Sequence, residues 1–270
     1  MLVRFISGII SAILVVAVFL SDKIVINIVV SIVGILTLIE AYRAIGVSKY
    51  RLLEILGFSL AVSLTFGEVT GVSYVALIIT LYIFAIMSAF LIYHKTLRLE
   101  ELSQMFFLTI YISYFYANIV FVRKMPDGEF LVWLILIGAF VTDTFAYLIG
   151  VTFGKHKLCP EISPKKTVEG AIAGVVGSVL GYLLFGLIMQ NFCQYHVNYL
   201  LLLPLGILAS IAAQIGDLFA SIIKRQHNLK DFGTLIPGHG GVFDRCDSLL
   251  FVAPVVFLYL SYFGNLIIWR

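Results

Sequence analysis

Of 270 residues, 61% are hydrophobic and 12% charged, the net charge is +3 and the mean hydropathy is +1.07. Soluble domains sit near roughly half apolar and a quarter charged, so a water-soluble globule is excluded and a bilayer is the expected solvent. The apolar runs do not alternate with polar residues, which excludes barrel strands. What remains is an all-α, polytopic integral membrane protein whose helices satisfy their own backbone groups in lipid.

Crossing the hydrocarbon layer takes about 20 helical residues, and about nine apolar runs are predicted as spans. In chain order they are Val3–Leu20, Ile24–Ala41, Leu52–Phe66, Val72–Ile92, Leu102–Val122, Phe130–Gly150, Val168–Met189, Tyr199–Ile223 and Ser248–Trp269. The first has no small-x-small cleavage site and is read as a retained span. The third is short, which suggests poor tilt or re-entry. Residues 1–129 are expected to form a structural, lipid-facing and dimer-forming region of about five spans, and residues 130–270 the catalytic membrane region. Two polar connections interrupt the latter, 151–167 and 224–247. Cys159, Cys193 and Cys246 lack metal-ligand spacing and imply neither disulfide nor zinc.

Lys and Arg mark the cytoplasmic loops. With a cytoplasmic N-terminus, fourteen of the eighteen basic residues fall on that side, and both polar connections lie there together. Such a basic face next to headgroups suits anionic lipids and nucleotides. Glu40 and Glu54, within a turn of span ends, are read as interfacial.

An Asp inside a span costs a few kcal/mol, so Asp143 and Asp217 require a reason. Each lies seven residues before the cytoplasmic end of its run, about 10 Å along a helix. Asp217, Ser221 and Lys224 share a helix face, and Asp244 and Asp247 are spaced i, i+3 at the entrance to the last span. If their helices are neighbours, four carboxylates reach one cytoplasmic pocket. Hard oxygen donors of this kind suit Mg²⁺ or a similar cation. The structural alternative is a helix-capping Asp247 and an Asp143 that only bonds between helices.

Around these carboxylates stand Lys165, Lys166, Lys224, Arg225, Lys230 and Arg245, with the glycines of "IPGHGG", Gly238, Gly240 and Gly241. Together they favour a phosphate site with backbone N–H donors, and Lys165 and Lys166 at a helix entrance add the helix dipole. His239 would bond a phosphate, donate a proton or play a structural part. Gly170, Gly174, Gly177 and Gly181, at helical spacing, are read as a packing stripe.

The stretch Ser221–Asp247 resembles the signature of the phosphatidate cytidylyltransferases, also called CDP-diacylglycerol synthases: S-x-x-K-R, K-D, H-G-G and D-R-x-D. Here these are Ser221, Lys224 and Arg225; Lys230 and Asp231; His239, Gly240 and Gly241; and Asp244, Arg245 and Asp247. "DTFAYLIGVTFGKHKL" and "SPKKTVEG" upstream are similar to the family's preceding blocks, and Cys246 is a mild departure. The resemblance implies that CTP and phosphatidic acid are the substrates and CDP-diacylglycerol and pyrophosphate the products. It also implies Mg²⁺, as one or two divalent cations with a monovalent cation as an admitted variant. The implied setting is a multi-pass enzyme of the cytoplasmic (inner) membrane among membrane lipids, a homodimer with no nucleic-acid partner. On that basis Asp217, Asp244, Asp247 and Asp143 are the metal candidates, while Lys165, Lys166, Lys224 and Arg225 neutralise triphosphate or lipid phosphate. Ser221 and Asp231 orient neighbours. A CTP-dependent lipid kinase and an ion-coupled transporter are the alternatives.

Overall fold

The structure is a computed structural model describing residues 2–67, 72–236, 238 and 240–269. His239 lies outside the described residues. Nine long helical segments are found among the described residues: α1 Leu2–Phe19, α2 Lys23–Ala44, α3 Arg51–Phe66, α4 Val72–Ile92, α5 Leu99–Lys124, α6 Gly128–Phe153, α7 Val168–Phe192, α8 Tyr199–Gln226 and α9 Phe243–Ile267. Seven of them are long and apolar enough to cross a membrane, α4 over Tyr74–Ile92; α1 and α3 are not among the seven. With 16 residues α3 is only about 24 Å long, short of the hydrocarbon layer as its sequence suggests.

Several helices outrun the apolar segments that announced them, because a helix need not stop where the lipid does. α5 opens on Glu100 and Glu101 and closes on Arg123 and Lys124, charges that oppose the helix dipole at each end. α6 continues to Phe153 and α8 to Gln226, which puts Asp143 ten and Asp217 nine residues before their helix ends, about 15 and about 14 Å.

The first polar connection is not a plain loop. Strands β1 Lys157–Cys159 and β2 Ser163–Thr167 pair antiparallel with an irregularity between Lys157 and Cys159. A second short ladder joins β3 His196–Val197 to β4 Ile268–Trp269.

Contacts divide the chain into two units, Met1–Lys124 with His227–Arg245, and Met125–Gln226 with Cys246–Arg270. In the first unit, α2, α3 and α5 enclose a core that includes Leu38, Tyr42, Leu53, Leu64, Met105 and Ile112. Hydroxyl pairs join those helices: Tyr42 with Thr109 at 2.6 Å and Thr37 with Tyr116 at 3.0 Å. In lipid such bonds replace the hydrophobic drive that water would supply, each contributing about 0.6 kcal/mol.

In the second unit α7 lies against α6 along its glycine stripe. A Cβ at Gly174 would sit 3.1 Å from the Thr142 methyl, and one at Gly177 would overlap the Phe145 ring. Just before Asp143, α6 widens into a π-turn over Ile137–Val141, and the Tyr182 hydroxyl donates to the Leu134 carbonyl at 2.8 Å beside it. Such a turn shifts the register of every later side chain on the helix, Asp143 included.

Gly177→Val is therefore expected to lose about 1–3 kcal/mol by overpacking, seen as a lower Tm of the purified protein in detergent. Gly264→Ala, whose added Cβ meets nothing closer than 3.7 Å, is expected to leave Tm unchanged or slightly raised.

Candidate active site

Within the second unit, Asp217 on α8 pairs with Lys166 of β2, Oδ2 to Nζ 2.7 Å, with side chains 33% and 23% exposed. The pair stands at the edge of solvent, where an ammonium can be exchanged for another partner. Gly216 explains why α8 comes so near α9 at this level. A Cβ there would meet the Asp247 carbonyl oxygen at 2.5 Å and the Phe251 ring at 2.9 Å. Asp217 is thus delivered beside Asp247, which is buried.

Ser248 links the remaining carboxylates. Its N–H donates to Asp247 Oδ1 at 2.8 Å and its hydroxyl donates to Asp143 Oδ2 at 2.8 Å. Asp217, Asp143 and Lys224 are the charged groups that act on Asp247. Three carboxylates from α6, α8 and α9 therefore share one neighbourhood, with Lys166 and Lys224 as counter-charges. The donors are hard oxygens, the set that Mg²⁺ prefers, so the chemistry fits a divalent cation. Among the described residues no three acidic, His or Cys side chains are already drawn together as a ligand set. Like charges in a poorly solvated place repel, and here Lys166 holds Asp217 instead.

The hairpin that carries Lys166 is anchored at its base. Thr167 caps α7 by accepting the Gly170 N–H at 3.2 Å. Glu169 reaches back to accept the N–H of Lys155 at 3.1 Å and contacts His156 Nδ1 at 2.6 Å. The capping role of Thr167 is legible in the sequence; that Glu169 closes the far end of the same loop is not. Arg225 Nε donates to the Ile162 carbonyl at 3.5 Å, near the hairpin turn, and Lys165 is exposed. Ser221 is buried on α8, one turn after Asp217.

Within the first unit, the segment ahead of α9 folds over two buried carboxylates. Asp244 Oδ2 accepts the N–H of Phe232 at 2.8 Å and of Gly241 at 3.0 Å. Gly240 has φ +84, a conformation that L side chains avoid, and its absent Cβ would lie 3.0 Å from Asp244 Oδ2. A bond from Ile236 N–H to the Gly240 carbonyl, 2.9 Å, closes the turn. Lys230, Asp231 and Arg245 are exposed around it.

Glu40 corrects the sequence reading. It is not an interfacial residue but 4% exposed, and its two oxygens accept the N–H groups of Val242 at 3.0 Å and Phe243 at 2.9 Å. No motif marked it; the signal was a lone carboxylate in an apolar run two hundred residues from its partners. Glu54 is buried too and bonds Arg51 at 3.2 Å.

The model of the cytidylyltransferase family matches residues 2–263, nearly the whole chain. The chain belongs to that family. It is 30% identical to a phosphatidate cytidylyltransferase of Bacillus subtilis (strain 168), over 97% of this chain and 98% of the relative. A phosphatidate cytidylyltransferase of Staphylococcus haemolyticus is 42% identical over 53% of this chain and 51% of its own length. One of Thermotoga maritima is 37% identical over 57% and 52%. Membership in the cytidylyltransferase family makes the chain a nucleotidyltransferase with several membrane helices.

If Thr167 anchors the lysine hairpin as described, Thr167→Ala costs about 1 kcal/mol of local stability. Hydrogen exchange should then quicken at residues 168–171 by about fivefold, with the α8 amides unaffected.

Proposed function

We propose that the chain transfers the cytidylyl group of CTP to phosphatidic acid, yielding CDP-diacylglycerol and pyrophosphate at the cytoplasmic face of a cell membrane. The observation that carries this reading is a family match over residues 2–263, in a chain whose relative of nearly equal length is a phosphatidate cytidylyltransferase.

The bond that forms joins a phosphate oxygen of phosphatidic acid to the α-phosphorus of CTP. The bond that breaks joins that phosphorus to the oxygen bridging α and β, and pyrophosphate leaves with the electron pair. A phosphomonoester has its second pKa near about 6, so the nucleophile is already largely ionised and needs no strong base. The barrier is the approach of two polyanions, which positioning and charge neutralisation lower.

Lys166, Lys165, Lys224 and Arg225 supply the positive charge for triphosphate or lipid phosphate. Lys166 is held at 2.7 Å from Asp217, so it arrives oriented rather than as a free chain end. Asp217, Asp247 and Asp143, all in the second unit, are the carboxylates that would hold a divalent cation, and Asp244, in the first unit, is a further acidic side chain assigned to the reaction. When bound, that cation screens phosphate charge and stabilises the departing pyrophosphate. Ser248 donates one hydrogen bond to each of Asp143 and Asp247, which ties the two carboxylates to one residue of α9. The N–H groups of Gly241, Val242 and Phe243 are already given to Asp244 and Glu40, so around this turn the groups left for a phosphate are the exposed side chains of Lys230 and Arg245. Acyl chains remain in the bilayer while the headgroup meets the polar ends of the helices.

Purified protein with CTP and phosphatidic acid should form CDP-diacylglycerol in the presence of Mg²⁺, and chelation should abolish it. Detecting CDP and a phosphorylated lipid instead would make the protein a lipid kinase. Asp244→Asn is expected to cut turnover by about 10²-fold or more, the scale seen when one preorganised electrostatic group is lost. Lys166→Met should lower kcat/KM by about 10²-fold without raising the Mg²⁺ requirement, since it removes a phosphate-facing charge and leaves every carboxylate in place.

A further inference from the structure

Resting on the assignment of Asp244 to the reaction, we infer that Glu40 is the positioning residue for Asp244, acting through the turn 241–243 that both carboxylates grip. Glu40 accepts from Val242 and Phe243, and Asp244 accepts from Gly241. Three consecutive N–H groups are thus divided between two buried side chains, one on α2 and one on α9. The other arm of the segment meets the same two side chains. Phe232 gives its N–H to Asp244, and a Cβ on the adjoining Gly233 would collide with the Glu40 carboxylate, as would one on Gly241. Phe232 and Phe243 stack with centroids 4.2 Å apart and planes 21° apart, tying the two arms together.

This arrangement gives Asp244 little freedom of its own. Its carboxylate is held by two backbone N–H groups, and the turn bearing one of them is held by Glu40. Glu40 touches neither substrate in this scheme. A glutamine at position 40 has the same shape but one acceptor oxygen, and its amide would confront an N–H with another donor. The turn would then lose half its hold, and Asp244 would lose the geometry that the reaction uses.

The test uses the full-length purified protein and the variants Glu40→Gln, Gly233→Ala, Asp244→Asn and Glu40→Gln/Asp244→Asn. Hydrogen exchange should quicken by about tenfold in peptides covering 231–244 of Glu40→Gln, with α5 and α8 unchanged. Its kcat should fall by about 10- to 100-fold, the range for residues that orient a functional carboxylate. Gly233→Ala, which alters no carboxylate, should reproduce both effects in weaker form. In the double variant, Glu40→Gln should cost less than about twofold beyond Asp244→Asn, because residues acting as a unit are not additive. Unchanged exchange at 231–244, or an equal loss in both backgrounds, overturns the inference. Near-normal turnover of Asp244→Asn alone overturns the parent assignment of Asp244; a crippled Asp244→Asn beside a Glu40→Gln enzyme of full rate overturns only the role of Glu40.

Discussion

A carboxylate among apolar helices has to be given partners, and most of the local architecture follows from that constraint. An unpaired ion in a poorly solvated place is penalised by several kcal/mol, more than any single packing contact returns. The acids at the site, buried or half-buried, each have an answer. Asp217 takes an ammonium, Asp143 a hydroxyl, Asp247 the N–H of the next residue, and Asp244 and Glu40 two N–H groups each. The glycines then make sense as the means of approach: Gly216 lets α8 close on the Asp247 carbonyl, and Gly233 and Gly241 let backbone lie against Glu40.

These partners differ in how readily they can be exchanged. A backbone N–H in a closed turn cannot leave without unfolding the turn, so Asp244 and Glu40 are fixtures of the segment ahead of α9. A lysine side chain can swing away at small cost, so the Lys166–Asp217 pair is adjustable.

How much of this was legible depended on the range of the interaction. Helices were written in hydropathy, and the glycine stripe of α7 in its spacing, because both are repeated local signals. Asp217 and Asp143 stood out because charge in an apolar run is costly wherever it occurs. The same reasoning was available for Glu40 and failed, since a position one turn from a span end gives an acid an easy route to water on paper. Only the fold of a segment some two hundred residues later closes that route. The lysine hairpin was missed for a related reason. Strands of three and five residues carry almost no periodicity, and what stabilises them is the reach of Glu169 back to Lys155 and His156. The π-turn in α6, with the Tyr182 hydroxyl bonded to the Leu134 carbonyl beside it, left no trace in the composition.

The contrast between fixed and adjustable partners bears on how two polyanions and a cation could be gathered. Backbone N–H groups are neutral donors, so the two bonds from Phe232 and Gly241 bring no counter-charge to Asp244. Asp217 is different, because its charge is cancelled by Lys166 at 2.7 Å. Under the proposed roles, a phosphate arriving at Lys166 would compete with Asp217 for the ammonium, and a cation arriving at Asp217 would compete with Lys166 for the carboxylate. Either event uncovers the group that the other ligand needs. In that scheme, any free energy that one ligand spends in parting the pair is spared to the second, so the two would tighten each other's binding by the same factor.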